Sequence, residues 1–252
     1  MTESDGPTWY AHLSFNAPLS EHRANDLAAR LAAARPADVL DIGCGWGELM
    51  LRVLEHAPSA VGTGIDTDER GLARGRMEAE KRGLTDRATF RTLSGEETQQ
   101  QADVVICIGA SHAFGGPAQA LSALRTRVRP GGRLLFGEGL WDPTGPVPEP
   151  ELVWPDLFEL PTLRGLVDVA VEAGYRPLYT EESSLNELDA FESGYLADYE
   201  EWLIKNPAHP RAQEVRAQSD EHRRRWLHGY RGAFGFAYLT LGVPLTEGVS
   251  EL

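Results

Sequence analysis

Asp41-x-Gly43-x-Gly45-x-Gly47 is the stretch whose residue types and spacing could do chemistry. Glycine at every second position strips the side chains from a loop, so a ligand can lie directly on backbone. A helix starting near Trp46 or Gly47 turns its unpaired amides into the same space. Val39, Leu40 and Ile42 just ahead are the short apolar run of a strand covered on both faces. The site is nucleotide-sized. Asp66 ends a second apolar run, roughly 20 residues past the glycines, where a carboxylate can accept hydrogen bonds from vicinal ribose hydroxyls. His112 is the conventional base of the loop 109–116, with a pKa suited to taking a proton at neutral pH. Glu138 and Trp141 close a later strand, the acid able to hydrogen-bond and the indole to stack against a flat or cationic group.

These residues need a scaffold, and the pattern of the chain supplies one. Ser20 caps a helix to about Ala34, with Leu27, Ala28 and Leu31 on one face and Pro36 as its stop. After the glycine loop come a helix buried through Leu49, Met50, Val53 and Leu54, a strand over 60–65, and a helix over 69–82 that Thr67 or Asp68 can cap. Strands at 88–93 and 103–108 follow, then a helix over 117–128 and the turn Arg129-Pro130-Gly131-Gly132, whose proline stops the helix and whose glycines permit a reversal into a strand at 133–136. Six prolines fall between 142 and 161, around Trp154, and mark a long semi-rigid loop of the kind that carries function. A helix over 162–173 and a strand over 176–180 come next. Ser184 and Glu187 then form a capping box for a helix to about Ile204, on which Phe191, Tyr195, Tyr199 and Trp202 recur every three or four residues. A further helix from Pro210 pairs Asp220 with Arg224 and Glu221 with Arg225, which makes the run His222–Arg225 a solvated face. The last strand is 235–241.

The alternation predicts an α/β fold: a Rossmann-like, seven-stranded, mostly parallel sheet with helices on both faces and a helical cap inserted before the last strand. The expected organisation is an N-terminal lid and helix over 1–35, a core over 36–184 plus 233–245, and a cap over 185–232. Trp9, Tyr10, His12 and Phe15 make the opening segment too aromatic for a tail, and Phe15, Asn16 and Arg23 are its lid candidates.

A dinucleotide fingerprint needs a third small residue where this chain has Glu48, and a pyrophosphate would meet both Asp41 and Glu48. Two carboxylates repel a dianion and suit a ligand carrying an ammonium and a sulfonium centre, which disfavours a nicotinamide-dependent oxidoreductase. The D-x-G-x-G-x-G pattern resembles the first motif of class I S-adenosylmethionine-dependent methyltransferases. The R-P-G-G turn is a further family mark, and the resemblance covers about residues 37–141 with good specificity, the rest in outline. Trp202–Pro207 and Glu214–Arg216 also look like a subgroup of bacterial stand-alone methyltransferases of uncharacterised substrate. The resemblance implies S-adenosylmethionine as cofactor and S-adenosylhomocysteine as product. It implies cofactor contacts from Asp41, Gly43, Cys44, Gly45 and Gly47, from Asp66 and Thr67, from Ser94, Gly95 and Glu96 where adenine is read, and from Gly109 and Ala110 beside the methionine portion. Family members commonly carry Asp or Asn where this chain has Ser94, so adenine recognition falls to backbone groups and Ser94.

The implied reaction is in-line displacement at the sulfonium methyl by an O, N or C nucleophile of a small-molecule acceptor. His112 and Glu138 are the candidate catalytic groups, and His112, Trp141, Trp154, Tyr195 and Tyr199 the acceptor-binding ones. The alternative is a non-catalytic S-adenosylmethionine-binding sensor or partner subunit. A net charge of −14 argues against a nucleic-acid backbone as partner. Two cysteines, Cys44 and Cys107, lack metal-ligand spacing, so no metal is expected. No stretch approaches a membrane span, and the first five residues lack the basic and apolar regions of a secretory signal, so a cytoplasmic protein is expected. The acceptor and the oligomeric state stay open.

Overall fold

Strand and helix alternate through most of the chain: α1 (Glu21–Ala32), β1 (Asp38–Ile42), α2 (Glu48–His56), β2 (Val61–Asp66), α3 (Glu69–Lys81), β3 (Ala88–Thr92), β4 (Ala102–Ile108), α4 (Pro117–Arg125), β5 (Val128–Trp141), α5 (Leu163–Glu172), β6 (Arg176–Glu182), α6 (Leu185–Lys205), α7 (Ala212–Arg225) and β7 (Phe234–Gly242). This computed structural model describes residues 6–245, without the side chains of residues 156 and 158. The first five residues, read above for a leader, lie outside that range. The seven strands form one sheet in the order β3-β2-β1-β4-β5-β7-β6. β1 pairs in parallel with β2 and β4, β2 with β3, and β4 with β5, while β6 and β7 are antiparallel. The expected Rossmann-like sheet is present.

The central strands are buried because they carry apolar residues on both faces. Val39 and Leu40 of β1, Val104 and Val105 of β4, and Leu134 and Leu135 of β5 are all buried. β3, at the edge, turns only Phe90 inward. Three helices, α1, α3 and α6, start where side chains cap them. Ser20 accepts from the Arg23 amide at 3.3 Å, Asp68 from the Arg70 amide at 3.0 Å, and Ser184 and Glu187 exchange bonds of 2.8 and 3.2 Å.

The Arg-Pro-Gly-Gly segment departs from the turn expected of it. It lies inside β5 as an irregularity, with Ala102 opposite Val128 but Val104 opposite Arg133. Arg129 explains the anchoring: it donates to Asp38 at 2.6 Å and to Asp103 at 2.8 Å, and holds the Asp38 carboxyl below its usual range. Gly132 passes so close to β4 that a Cβ would come within 2.5 Å of the Asp103 carbonyl oxygen.

The chain separates into two compact units. The sheet unit holds Ser20–Glu138, Leu163–Glu182 and residues 237–245; the helical unit holds residues 6–19, Gly139–Thr162 and Ser183–Phe236. In the helical unit, α6 and α7 pack through Trp202, Leu203, Ala212 and Val215. The opening segment is pinned to α6: the Thr8 hydroxyl donates to Asp198 at 2.5 Å and the Ala11 amide donates to it at 3.2 Å. Phe15 is buried in the helical unit and Asn16 is exposed, whereas Arg23, in the sheet unit, lies 3.5 Å from Glu181 of β6.

Candidate functional site

The glycine loop shows two kinds of glycine. Gly43, Gly45 and Gly47 all have φ between 55° and 68°, a region closed to most side chains. Gly43 and Gly47 are also packed: a Cβ would lie 2.4 Å from the Ala110 Cβ at the first and 2.7 Å from Phe90 at the second. Gly45 differs, since nothing lies within 4 Å of where its Cβ would be. Gly109, at the exit of β4, has φ 65° and the same open space. Because β1 and β4 are neighbours, two bare stretches of backbone face open space at adjacent strand ends.

Asp41 lies on β1, two residues before Gly43 and opposite Ile106 of β4. Its carboxyl is 5 % exposed and has no hydrogen-bond partner among the described residues. Burial first, and the Asp66 charge second, push it up to about 8. A buried carboxyl without a partner is costly, and a cationic group beside it would remove both penalties. That is what an ammonium group requires.

Asp66 is partly occupied. One oxygen accepts from the Gly45 amide at 2.7 Å and the other from the Asp68 amide at 2.8 Å, so the side chain first of all ties the glycine loop to the end of β2. Each oxygen keeps a second lone pair. Thr67 beside it is exposed. Glu48 does not face a ligand as argued from the sequence: Arg52 at 2.8 Å and Arg82 at 2.6 Å hold it. The charge argument against a pyrophosphate therefore rests on Asp41. Cys44 packs against Gly64, and burial raises its thiol well above the usual value, so it is no nucleophile.

The remaining strand exits of the sheet unit are crowded together. Gly95 is squeezed between Ile42 and Phe114, whose atoms lie 2.8 and 3.0 Å from a built Cβ. The Ser94 amide is taken by Glu97 at 3.1 Å, and Glu96 is exposed. Phe114, which sequence reasoning passed over, thus packs against Gly95 beyond the exit of β3. His112 lies on a short 3-10 turn, Ser111–Phe114, and is exposed. Ala110 and Glu138 are buried.

In the helical unit the aromatic stripe is partly a cavity wall. Trp154, Tyr195, Leu196, Tyr199, Ser219 and His222 are among the residues lining a space of about 390 Å³. Trp141 instead packs against the cluster of Leu196, Trp226 and Tyr230. The run His222–Arg225 is only half a solvated face. Arg224 and Arg225 both bond Glu221, while Arg223 takes Asp220 in place of the expected Arg224. His222 turns inward and its Nε2 lies 2.6 Å from Glu192. Tyr230, on a π turn over Trp226–Tyr230, donates to the same Glu192 at 2.9 Å. Sequence reasoning missed Glu192, His222 and Tyr230. The available signal was Glu192 standing three residues before Tyr195 on the apolar stripe.

Among the described residues no three His, Cys, Asp or Glu side chains cluster as metal ligands, and no helix is long and apolar enough to cross a membrane.

Comparison with known proteins agrees with this geometry. A family model described as a methyltransferase domain matches residues 40–134. The chain is 29 % identical over 231 residues to the uncharacterised protein YjhP of Escherichia coli strain K12, covering 89 % of this chain and 92 % of that one. The crystal structure of YjhP matches with a TM-score of 0.78, over 90 % of this chain and 94 % of that one at 27 % identity. A SAM-dependent methyltransferase from Geobacter sulfurreducens, solved with S-adenosyl-L-homocysteine, matches with a TM-score of 0.77 at 28 % identity, over 90 % and 92 % of the two chains. Ubiquinone biosynthesis O-methyltransferase of Acinetobacter baumannii strain AYE is 32 % identical over 135 residues, 51 % of this chain and 55 % of its own length.

A mostly parallel sheet with a glycine loop at the exit of β1, beside β4, is the arrangement of a Rossmann-like nucleotide-binding fold. The matched domain, and the likeness over nine-tenths of the chain to SAM-dependent methyltransferases solved with S-adenosyl-L-homocysteine, support a class I S-adenosylmethionine-dependent methyltransferase.

Proposed function

We propose that the protein transfers the methyl group of S-adenosylmethionine to a small-molecule acceptor. When bound, the cofactor supplies an electrophilic methyl on its sulfonium sulfur. The observation that carries the reading is the pair of left-handed glycines, Gly45 and Gly109, facing open space past the ends of the adjacent strands β1 and β4, with the buried Asp41 on β1. In this reading Gly43, Cys44 and Gly47 shape the loop, and Gly45, Gly109 and Ala110 offer backbone to the methionine portion. Asp41 meets the ammonium group. Asp66, through its remaining lone pairs, and Thr67 take the ribose, and Ser94, Gly95 and Glu96 flank the adenine. The acceptor meets Trp154, Tyr195 and Tyr199, whose rings suit a flat molecule and whose cavity falls in the ordinary range for small ligands. Trp141 backs that wall. Alignment of two bound reactants lowers the barrier by several kcal/mol, up to about 7 to 11 in the best intramolecular models. His112, on the turn after β4, and Glu138, inside β5, are the candidate groups for proton handling in this reading.

Calorimetry with S-adenosylmethionine and S-adenosylhomocysteine tests the cofactor half, and the expected result is binding of both. Incubation with phenols, amines and carboxylic acids, followed by mass spectrometry for S-adenosylhomocysteine and a methylated product, tests the acceptor half. Heat from neither ligand sinks the proposal.

A further inference from the structure

We propose that the cavity on α6 and α7 binds a planar ligand with an acidic hydroxyl, a phenol or an enol, and that His222 accepts the hydroxyl proton with Glu192 as its positioning residue. The proposal rests on the preceding reading in one respect only, that this ligand is the methyl acceptor.

The first argument is the dyad itself. The Glu192 side chain is 9 % exposed and that of His222 22 %, and their contact is 2.6 Å. Glu192 accepts a second bond from Tyr230, so its carboxylate is held from two sides. A carboxylate bonded to Nε2 places the proton of the neutral ring there and leaves Nδ1 as a lone pair. Among the described residues Nδ1 has no hydrogen-bond partner. Tyr195 stacks on the ring at 4.8 Å between centroids and keeps it from turning. Burying such a pair is a weak way to gain stability, because desolvation offsets much of the attraction. A π turn next to it, Trp226–Tyr230, is a further local cost that recurs at functional sites.

The second argument is elimination among ligand chemistries. A cation would need an open aromatic face or an uncommitted carboxylate. The Trp154 face carries the Arg225 guanidinium at 4.2 Å, and that of Tyr195 carries His222. Glu221 holds Arg224 and Arg225, and Glu200 holds Ser219 and Arg223. An anion would need a free guanidinium, and Arg223, Arg224 and Arg225 are in those same pairs. Tyr195 and Tyr199 bond each other at 3.2 Å, and burial raises the Tyr195 hydroxyl above its usual value, so it stays neutral. What the wall offers is aromatic edge, the Gln218 amide and one basic lone pair. A flat ligand that donates an acidic O–H matches that set. The step is a single proton transfer: the ligand O–H bond breaks, its electron pair stays on oxygen, and the proton joins Nδ1 to give an imidazolium paired with Glu192. The resulting phenolate or enolate is the stronger nucleophile.

The test reads that proton without any cofactor. The full-length protein is titrated with 4-nitrophenol, 4-nitrocatechol and 7-hydroxycoumarin, whose anions have their own absorption or emission. The expected result is binding with the probe ionised at a pH where it is neutral in buffer. His222→Gln should cut the ionised fraction of bound probe by about tenfold or more, one pK unit or more. Glu192→Gln, which keeps the shape but removes the charge, should lower it by a smaller factor and shift the pH at which the bound probe ionises. Thermal melts check that both variants fold, and Tyr230→Phe serves as a milder perturbation of Glu192 should either fail. No binding of any probe, binding only in the neutral form, or equal ionisation in wild type and folded His222→Gln each overturns the proposal. Ionised binding without S-adenosylhomocysteine formation keeps this site and removes the acceptor reading instead.

Discussion

In the sheet unit, Asp66 reaches Gly45 across 21 residues and Asp68 across 2, and both partners are backbone amides. In the helical unit, Glu192 reaches His222 across 30 residues and Tyr230 across 38, and every group involved is a side chain. The two sites are made from different material. A loop of left-handed glycines fixes its amides by backbone conformation alone, so its shape follows from residue type at a few consecutive positions. A side-chain dyad exists only when two helices pack in the right register. The first kind of site resists change in its surroundings but tolerates almost no substitution within itself. The second tolerates conservative changes one at a time and is lost when its packing shifts.

The sharpest way to break this comparison is to put a methyl group on two neighbouring glycines. Gly43→Ala adds a Cβ at positive φ and within 2.4 Å of Ala110, so strain and overpacking together should cost about 3 kcal/mol or more, seen as a large fall in the denaturation midpoint. Gly45→Ala meets only the conformational strain, about 1 to 2 kcal/mol, because the space beside it is open. It should nonetheless lose cofactor binding by calorimetry. Equal stability losses in the two variants would mean that the distinction between packed and ligand-facing glycines is wrong.

A smaller effect separates charge from shape. Asp41 has a folded-state value near 8, above that of an unfolded carboxyl. Its protonated form therefore favours the fold, a contribution whole below about pH 4 and lost as the pH rises through about 8. Asp41→Asn, which cannot ionise, should gain steadily on wild type in melting temperature as the pH rises from 5 to 9. The same substitution should weaken S-adenosylmethionine binding by about tenfold or more, the scale of a charged hydrogen bond. In wild type, cofactor binding at pH 7 should release a proton, measurable as a dependence of the heat on the buffer's ionisation enthalpy, and affinity should rise with pH to about 8.

The smallest effect is expected on the exposed side of α7. Glu221→Gln removes the charge that pairs with the exposed Arg224 and with Arg225, whose side chain is 20 % exposed, and should lower the melting temperature only slightly. A marked loss there would show that the charged run supports the cavity behind it.

Most of the sheet was legible because its signals are local. Val39, Leu40 and Ile42, like Val104–Ile106, put apolar side chains on both faces, and the caps at Ser20, Asp68 and Ser184 each sit within three residues of the amide they satisfy. The Arg-Pro-Gly-Gly segment misled because proline and glycine announce a change of direction without saying whether the strand continues after it. Pairing with Asp38 and Asp103 decided that, and neither is near it in sequence. Glu48 misled for a related reason: position at a helix start implied a ligand, and two arginines had already claimed it.

What the residues in order determined was the strand, the glycine conformation that follows it and the acid at its end, since positive φ and apolar burial are properties of the residue types themselves. Tertiary packing alone decided which glycines were filled from behind and which stayed open. It also decided that a histidine in a run of arginines would turn inward to a glutamate thirty residues away. Burial and partner choice depend on what arrives from elsewhere in the chain, and local sequence carries no record of that.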